Sequence, residues 1–78
     1  MDIEVKVPET GESEGFTVTY WHFKEGDQVV KDSDLVEIST EKAVFNVSSP
    51  VSGILKEKKH QEGGRVSCGD VIAIIDTK

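Results

Sequence analysis

Seventy-eight residues leave room for one hydrophobic core, so residues 1–78 read as a single domain. A chain this short buries only about 60% of the surface it exposes when unfolded, which leaves little core from which to cut a catalytic cleft, and the domain itself is expected to be no enzyme. Fifteen acidic residues against nine basic ones give a net charge of −6; phosphate backbones and anionic lipids would repel such a surface, so neither nucleic acid nor membrane is expected as a partner.

Apolar residues recur with period two nearly everywhere. Ile3, Val5 and Val7 alternate with charged residues and stop at Pro8 and Gly11. Phe16, Val18 and Tyr20 repeat the habit after Gly15, and Gly26 marks the next turn. Val36 with Ile38, Phe45 with Val47, and Ile72 with Ile74 follow it again, with Leu35, Val51, Ile54 and Val71 near strand starts. Pro50, Gly53, Gly63, Gly64 and Gly69 punctuate the second half. No window sustains a spacing of three and four, so no helix longer than a turn is predicted. Short strands between regular turn signals mean an all-β fold, a flattened sandwich or barrel.

The chain also repeats itself. Pro8-Glu9-Thr10-Gly11 matches Pro50-Val51-Ser52-Gly53, Lys24 to Val29 matches Gln61 to Val66, and Asp34 to Ile38 matches Asp70 to Ile74, at offsets of 42, 37 and 36. Two half-repeats, about 1–40 and 43–78, each of four short strands, predict two four-stranded antiparallel sheets related by a pseudo-twofold. Neither half could cover its own apolar face alone. The extra residues of the first half fall mostly between Gly11 and Phe16.

Between the halves, a hairpin with Glu41 and Lys42 as its loop pairs residues whose numbers sum to 83. Ile38 then faces Phe45 and Val36 faces Val47 on one face, while Glu37 meets Asn46 on the other. Shifting the centre by half a residue would oppose apolar with polar residues, so burial selects this register. Glu-Lys is not a preferred hairpin dipeptide; the flanks, not the turn, put Lys42 at the tip. A lysine there is ordinarily a solubilising residue. Its place at the junction of the half-repeats, beside the small Ala43, makes its amine a candidate attachment point.

These residues together resemble the biotinyl/lipoyl attachment domains, over essentially the whole chain. Val7-Pro8, Gly11-Glu12-Ser13, Glu14-Gly15, Trp21, Lys24-Glu25-Gly26-Asp27, Val29 and Glu41-Lys42-Ala43 fall where lipoyl domains of 2-oxo acid dehydrogenase complexes have them, as do Pro50, Gly53, Glu62-Gly63, Val66 and Gly69. The resemblance implies lipoic acid joined by an amide to Lys42, with Glu41 and Ala43 read by a lipoate ligase or lipoyl transferase. It implies a swinging arm serving a 2-oxo acid decarboxylase, an acyltransferase core and dihydrolipoamide dehydrogenase. It also places the 11–15 loop beside the tip, where Glu12, Ser13 and Glu14 would meet the decarboxylase. Two positions depart from the family: Glu41 stands where Asp is usual, and Asp32-Ser33-Asp34 replaces a Gly-Asp turn.

Two other functions compete. A biotin carboxyl carrier shares the fold, but biotinyl domains resemble one another in flanking the lysine with methionines. An unmodified structural or adaptor sandwich would commonly interrupt the hairpin and lack its lysine. Trp21 and Phe23 are expected in or against the core, and His22 and His60 as surface imidazoles without a third metal ligand. Cys68, the one cysteine, is an incidental turn thiol and excludes an internal disulfide. The charged N-terminus does not resemble a signal peptide. With no Pro/Ala-rich linker after Lys78, an excised piece of a longer dihydrolipoyl acyltransferase is expected. The isolated domain is expected to be monomeric, in a bacterial cytoplasm or a mitochondrial matrix.

Overall fold

The computed structural model describes residues 1–9 and 15–77. Among them run eight strands: β1 (Asp2–Lys6), β2 (Phe16–Trp21), β3 (Gln28–Val29), β4 (Asp34–Ser39), β5 (Val44–Ser48), β6 (Gly53–Lys58), β7 (Arg65–Val66) and β8 (Val71–Asp76). They form two antiparallel sheets, ordered β1-β8-β6-β3 and β5-β4-β2-β7. The predicted sandwich is the observed one. Its inner faces meet on Phe16, Val18, Leu35, Ile38, Leu55, Ile72 and Ile75, all fully buried. Each such side chain contributes about 1.5–3 kcal/mol on leaving water.

The pseudo-twofold extends to individual hydrogen bonds. Adding 37 carries β2, β3 and β4 onto β6, β7 and β8 (16 to 53, 28 to 65, 34 to 71), and adding 42 carries β1 onto β5 (2 to 44). The difference of five residues therefore falls between Lys6 and Phe16. Gly26 N–H donates to Leu55 O at 2.7 Å, and Gly63 N–H to Val18 O at 2.7 Å. Glu25 Oε2 accepts the Lys58 amide at 2.9 Å, as Glu62 Oε2 accepts that of Trp21 at 3.0 Å. Asp32, with φ of 74°, occupies the left-handed position that Gly69 holds at 87° in the other half. This is the local consequence of the Asp32-Ser33-Asp34 substitution, in a conformation that Asp tolerates better than most residues.

Four bulges, in two symmetric pairs, correct the expected alternation. In β2 the pairing runs from Val18↔Ile38 to Tyr20↔Glu37, so Thr19 is an extra residue. An extra residue reverses the phase of everything after it: Tyr20, expected inward, is 55% exposed, and Trp21 is buried instead. Lys56 is the equivalent in β6. Leu35 bulges from β4 against β5, and Ile72 from β8 against β1. Hence Ile72, Ala73 and Ile75 are buried while Ile74, expected inward, is only half-buried. The same bulge corrects the third repeat offset. Leu35, Val36 and Ile38 correspond to Ile72, Ala73 and Ile75, at 37 and not 36. Trp21 and Phe23 take the expected places, the first in the core and the second packed against it.

Candidate functional site

The β4–β5 hairpin has the register derived from the flanks: Val36↔Val47, Glu37↔Asn46, Ile38↔Phe45 and Ser39↔Val44. Phe45 is half-buried and sets its ring edge-on to Phe16, centroids 5.7 Å apart at 89°. This fastens the base of the hairpin to the core. Thr40 and Ala43 close the loop, with Thr40 N–H donating to Ala43 O at 2.8 Å, and Glu41 and Lys42 stand exposed at the tip.

The turn itself is closed by a side chain. The Lys42 and Ala43 amides both donate to Thr40 Oγ1, each at 3.2 Å. Neither tip residue adopts a positive φ, so the hairpin lacks the primed turns that match strand twist. Thr40 supplies locally what the Glu-Lys dipeptide does not. Sequence reasoning passed over it, although a Ser or Thr whose hydroxyl can accept from the amide two residues on is a known turn signal. Among the described residues the Lys42 ammonium has no ion pair or side-chain hydrogen bond. An exposed, unpaired primary amine beside a small residue fits acylation by an incoming carboxyl group.

The hairpin's base and its mirror image fix where the tip lies in the molecule. The Thr40–Ala43 closure has its pseudo-symmetric equivalent in Thr77 N–H donating to Met1 O at 2.9 Å. The tip and the terminal strands therefore occupy opposite ends of a body 36 Å long. A polar groove of about 300 Å³ flanks the tip, lined by Gly15, Thr17, Ser39, Thr40, Glu41 and Arg65. Glu12, Ser13 and Glu14 lie outside the described residues. Of the other candidates, His22 Nε2 meets Asn46 Oδ1 at 3.1 Å on the outer face. The His60 carbonyl accepts the Trp21 indole N–H at 3.0 Å, and Cys68 packs against the core.

A two-sheet sandwich that presents an exposed lysine on a hairpin at the end away from its termini has the form of a carrier domain. Residues 3–75 match the family model Biotin_lipoyl, described as biotin-requiring enzyme, and the chain belongs to this family. It is 46% identical over 77 residues to the dihydrolipoyllysine-residue acetyltransferase component of the pyruvate dehydrogenase complex of Corynebacterium glutamicum, covering 96% of this chain and 11% of the relative. It is 38% identical over 77 residues to the dihydrolipoyllysine-residue succinyltransferase component of the 2-oxoglutarate dehydrogenase complex of Cupriavidus necator, covering 97% of this chain and 18% of that protein. The solution structure of the lipoyl domain of the 2-oxoglutarate dehydrogenase complex of Azotobacter vinelandii superposes with a TM-score of 0.70 at 28% identity, covering 99% of this chain and 98% of that one. The chain thus spans under a fifth of the curated relatives it matches, and nearly all of a solved lipoyl domain.

Proposed function

We propose that this domain is a lipoyl carrier, with lipoic acid in amide linkage to Lys42. The observation that carries the reading is the unpaired Lys42 amine on a hairpin tip at the junction of two symmetric halves. The relatives, acyltransferase components of 2-oxo acid dehydrogenase complexes, support lipoate over biotin. So do the neighbours Glu41 and Ala43, where biotinyl domains resemble one another in having methionines.

The protein's share of the work is presentation. Thr40 orders the two amides around the lysine, and the Phe16–Phe45 contact anchors the hairpin. The termini at the far end leave the tip clear of whatever chain continues from them. Bound there, the dithiolane supplies acyl- and electron-carrying chemistry, and tethering raises its effective concentration at each partner's site. A lipoate ligase or lipoyl transferase, reading Glu41 and Ala43, would install the group. A 2-oxo acid decarboxylase, an acyltransferase core and dihydrolipoamide dehydrogenase are the proposed partners, within a dihydrolipoyl acyltransferase as parent chain. Glu12, Ser13 and Glu14 are proposed to meet the decarboxylase, on the strength of their family position alone. A bacterial cytoplasm or mitochondrial matrix is the compartment that fits such a complex.

The test is treatment with lipoate and a lipoate ligase, followed by intact mass and peptide mapping. One lipoyl group on Lys42 is expected. Modification of Lys24, Lys31 or Lys56 instead, or acceptance of biotin from a biotin ligase, would refute the assignment.

A further inference from the structure

The groove beside the tip has a chemistry of its own. One row of residues runs outward-facing across three strands, Arg65 on β7 pairing with Thr17 on β2, and Thr17 with Ser39 on β4. All three line the groove, which ends against Thr40 and Glu41 at the tip. Arg65 is the only arginine in a chain with fifteen acidic residues, yet among the described residues it has no ion pair. Among the same residues the Thr17 and Ser39 hydroxyls have no hydrogen-bond partner. The groove therefore offers two hydroxyl donors and a guanidinium fork, the donor set that matches a carboxylate.

The pseudo-twofold supplies an internal control. The equivalent row at the opposite end is Gln28, Ile54 and Asp76, paired in the same register. Its three side chains are an amide, an apolar group and a carboxylate, the last facing the N-terminal ammonium at 3.5 Å. The fold thus does not require Arg, Thr and Ser in this row; they occur only at the end that carries Lys42.

We propose that this groove docks a carboxylate at the end of the arm carried by Lys42, so that the acyl group belongs to the dicarboxylic class, a carboxylate-terminated thioester such as succinyl. The proposal rests on the lipoyl-carrier reading. Reach permits it: strands lie about 4.8 Å apart, so β7 is roughly 10 Å from β4. A lipoyl-lysine of about a dozen bonds extends roughly 14 Å, at the ~1.2 Å per bond of an extended chain. Glu41 repels an anion from the near end of the groove while Arg65 attracts it to the far end. An exposed arginine–carboxylate contact alone is weak, and the Thr17 and Ser39 hydroxyls add hydrogen bonds to the same carboxylate. Such a site holds no free carboxylate at micromolar concentration, whereas tethering raises the local concentration of the arm's end by orders of magnitude. An acetyl group, ending in a methyl, has nothing to offer it.

The experiment uses the lipoylated domain in a Cys68→Ser background, with loading confirmed by intact mass. The arm is reduced and its thiols are alkylated with iodoacetate, which leaves an anionic carboxymethyl end, or with iodoacetamide, which leaves a neutral one of nearly equal size. Proton–nitrogen NMR spectra of the two forms are then compared. The carboxymethyl arm is expected to shift the Arg65 side-chain Nε–H and the amides of Thr17 and Ser39. Arg65→Gln, a change at an exposed position, is expected to abolish those shifts while leaving the rest of the spectrum in place. Differences confined to residues 40–43, identical spectra for the two arms, or shifts that persist in Arg65→Gln would overturn the docking proposal. A domain that accepts no lipoyl group would instead overturn the carrier reading, and this inference with it.

Discussion

Replacing Thr40 with valine keeps a β-branched side chain of similar shape and removes only the oxygen on which two tip amides converge. Both N–H···Oγ1 distances are 3.2 Å, at the long end of the normal range. Water can replace the lost acceptor at an exposed turn, so the pair contributes about 0.5–1 kcal/mol, less than two full net hydrogen bonds. Spent on the tip conformation alone, that lowers the ratio of ordered to open turn roughly two- to fivefold. A ligase that must find the Lys42 amine in that turn would show a kcat/KM lower by up to the same factor. The urea midpoint should hardly move, because Thr40 is outside the buried core. Thr40→Ser, which restores the oxygen, should recover ligation. The assay is initial-rate lipoylation of wild type, Thr40→Val and Thr40→Ser, alongside hydrogen exchange of the Lys42 and Ala43 amides. Equal rates and equal exchange in all three proteins would refute the role given to this hydroxyl.

Phe16→Ala removes a fully buried ring that also supports Phe45, at a cost of about 3–5 kcal/mol, much of the roughly 4–12 kcal/mol available to a domain of this size. Lys42→Ala, at an exposed tip, should stay within about ±0.5 kcal/mol; urea denaturation of both variants separates core from tip. Lipoylation converts an ammonium to a neutral amide, so the modified domain should migrate faster toward the anode on a native gel. Lys56 is held above its ordinary pKa by a hydrogen bond to Asp2, with the charge of Asp2 adding to it. The stabilisation from this exposed pair is thus fully present below the ordinary lysine pKa of about 10.4 and is lost as pH rises through the raised value. Nitrogen NMR titration of Lys56 should show the shift shrink in Asp2→Asn, because the charges of Asp76 and Glu57 remain.

The hairpin was legible in the sequence because its information is local. Val36, Ile38, Phe45 and Val47 lie close together along the chain, and only one register turns all four to the core face, so Lys42 falls at the tip without reference to the rest of the molecule. The halves were legible because a repeat is a property of sequence alone. The bulges were not. Thr19 and Ile72 look like ordinary strand residues, and an extra residue is defined only against the partner strand, which is why Tyr20 and Ile74 were assigned to the wrong face. The groove required tertiary structure for the same reason. Arg65 comes beside Thr17 only because β7 pairs with β2 across the two halves, and nothing in the residues flanking either position encodes that pairing. Period-two burial and the repeat settled the architecture and placed Lys42 at the hairpin tip. The neighbours of that lysine were decided by strand pairing between segments far apart in the chain, where local pattern carries no record of which edges meet.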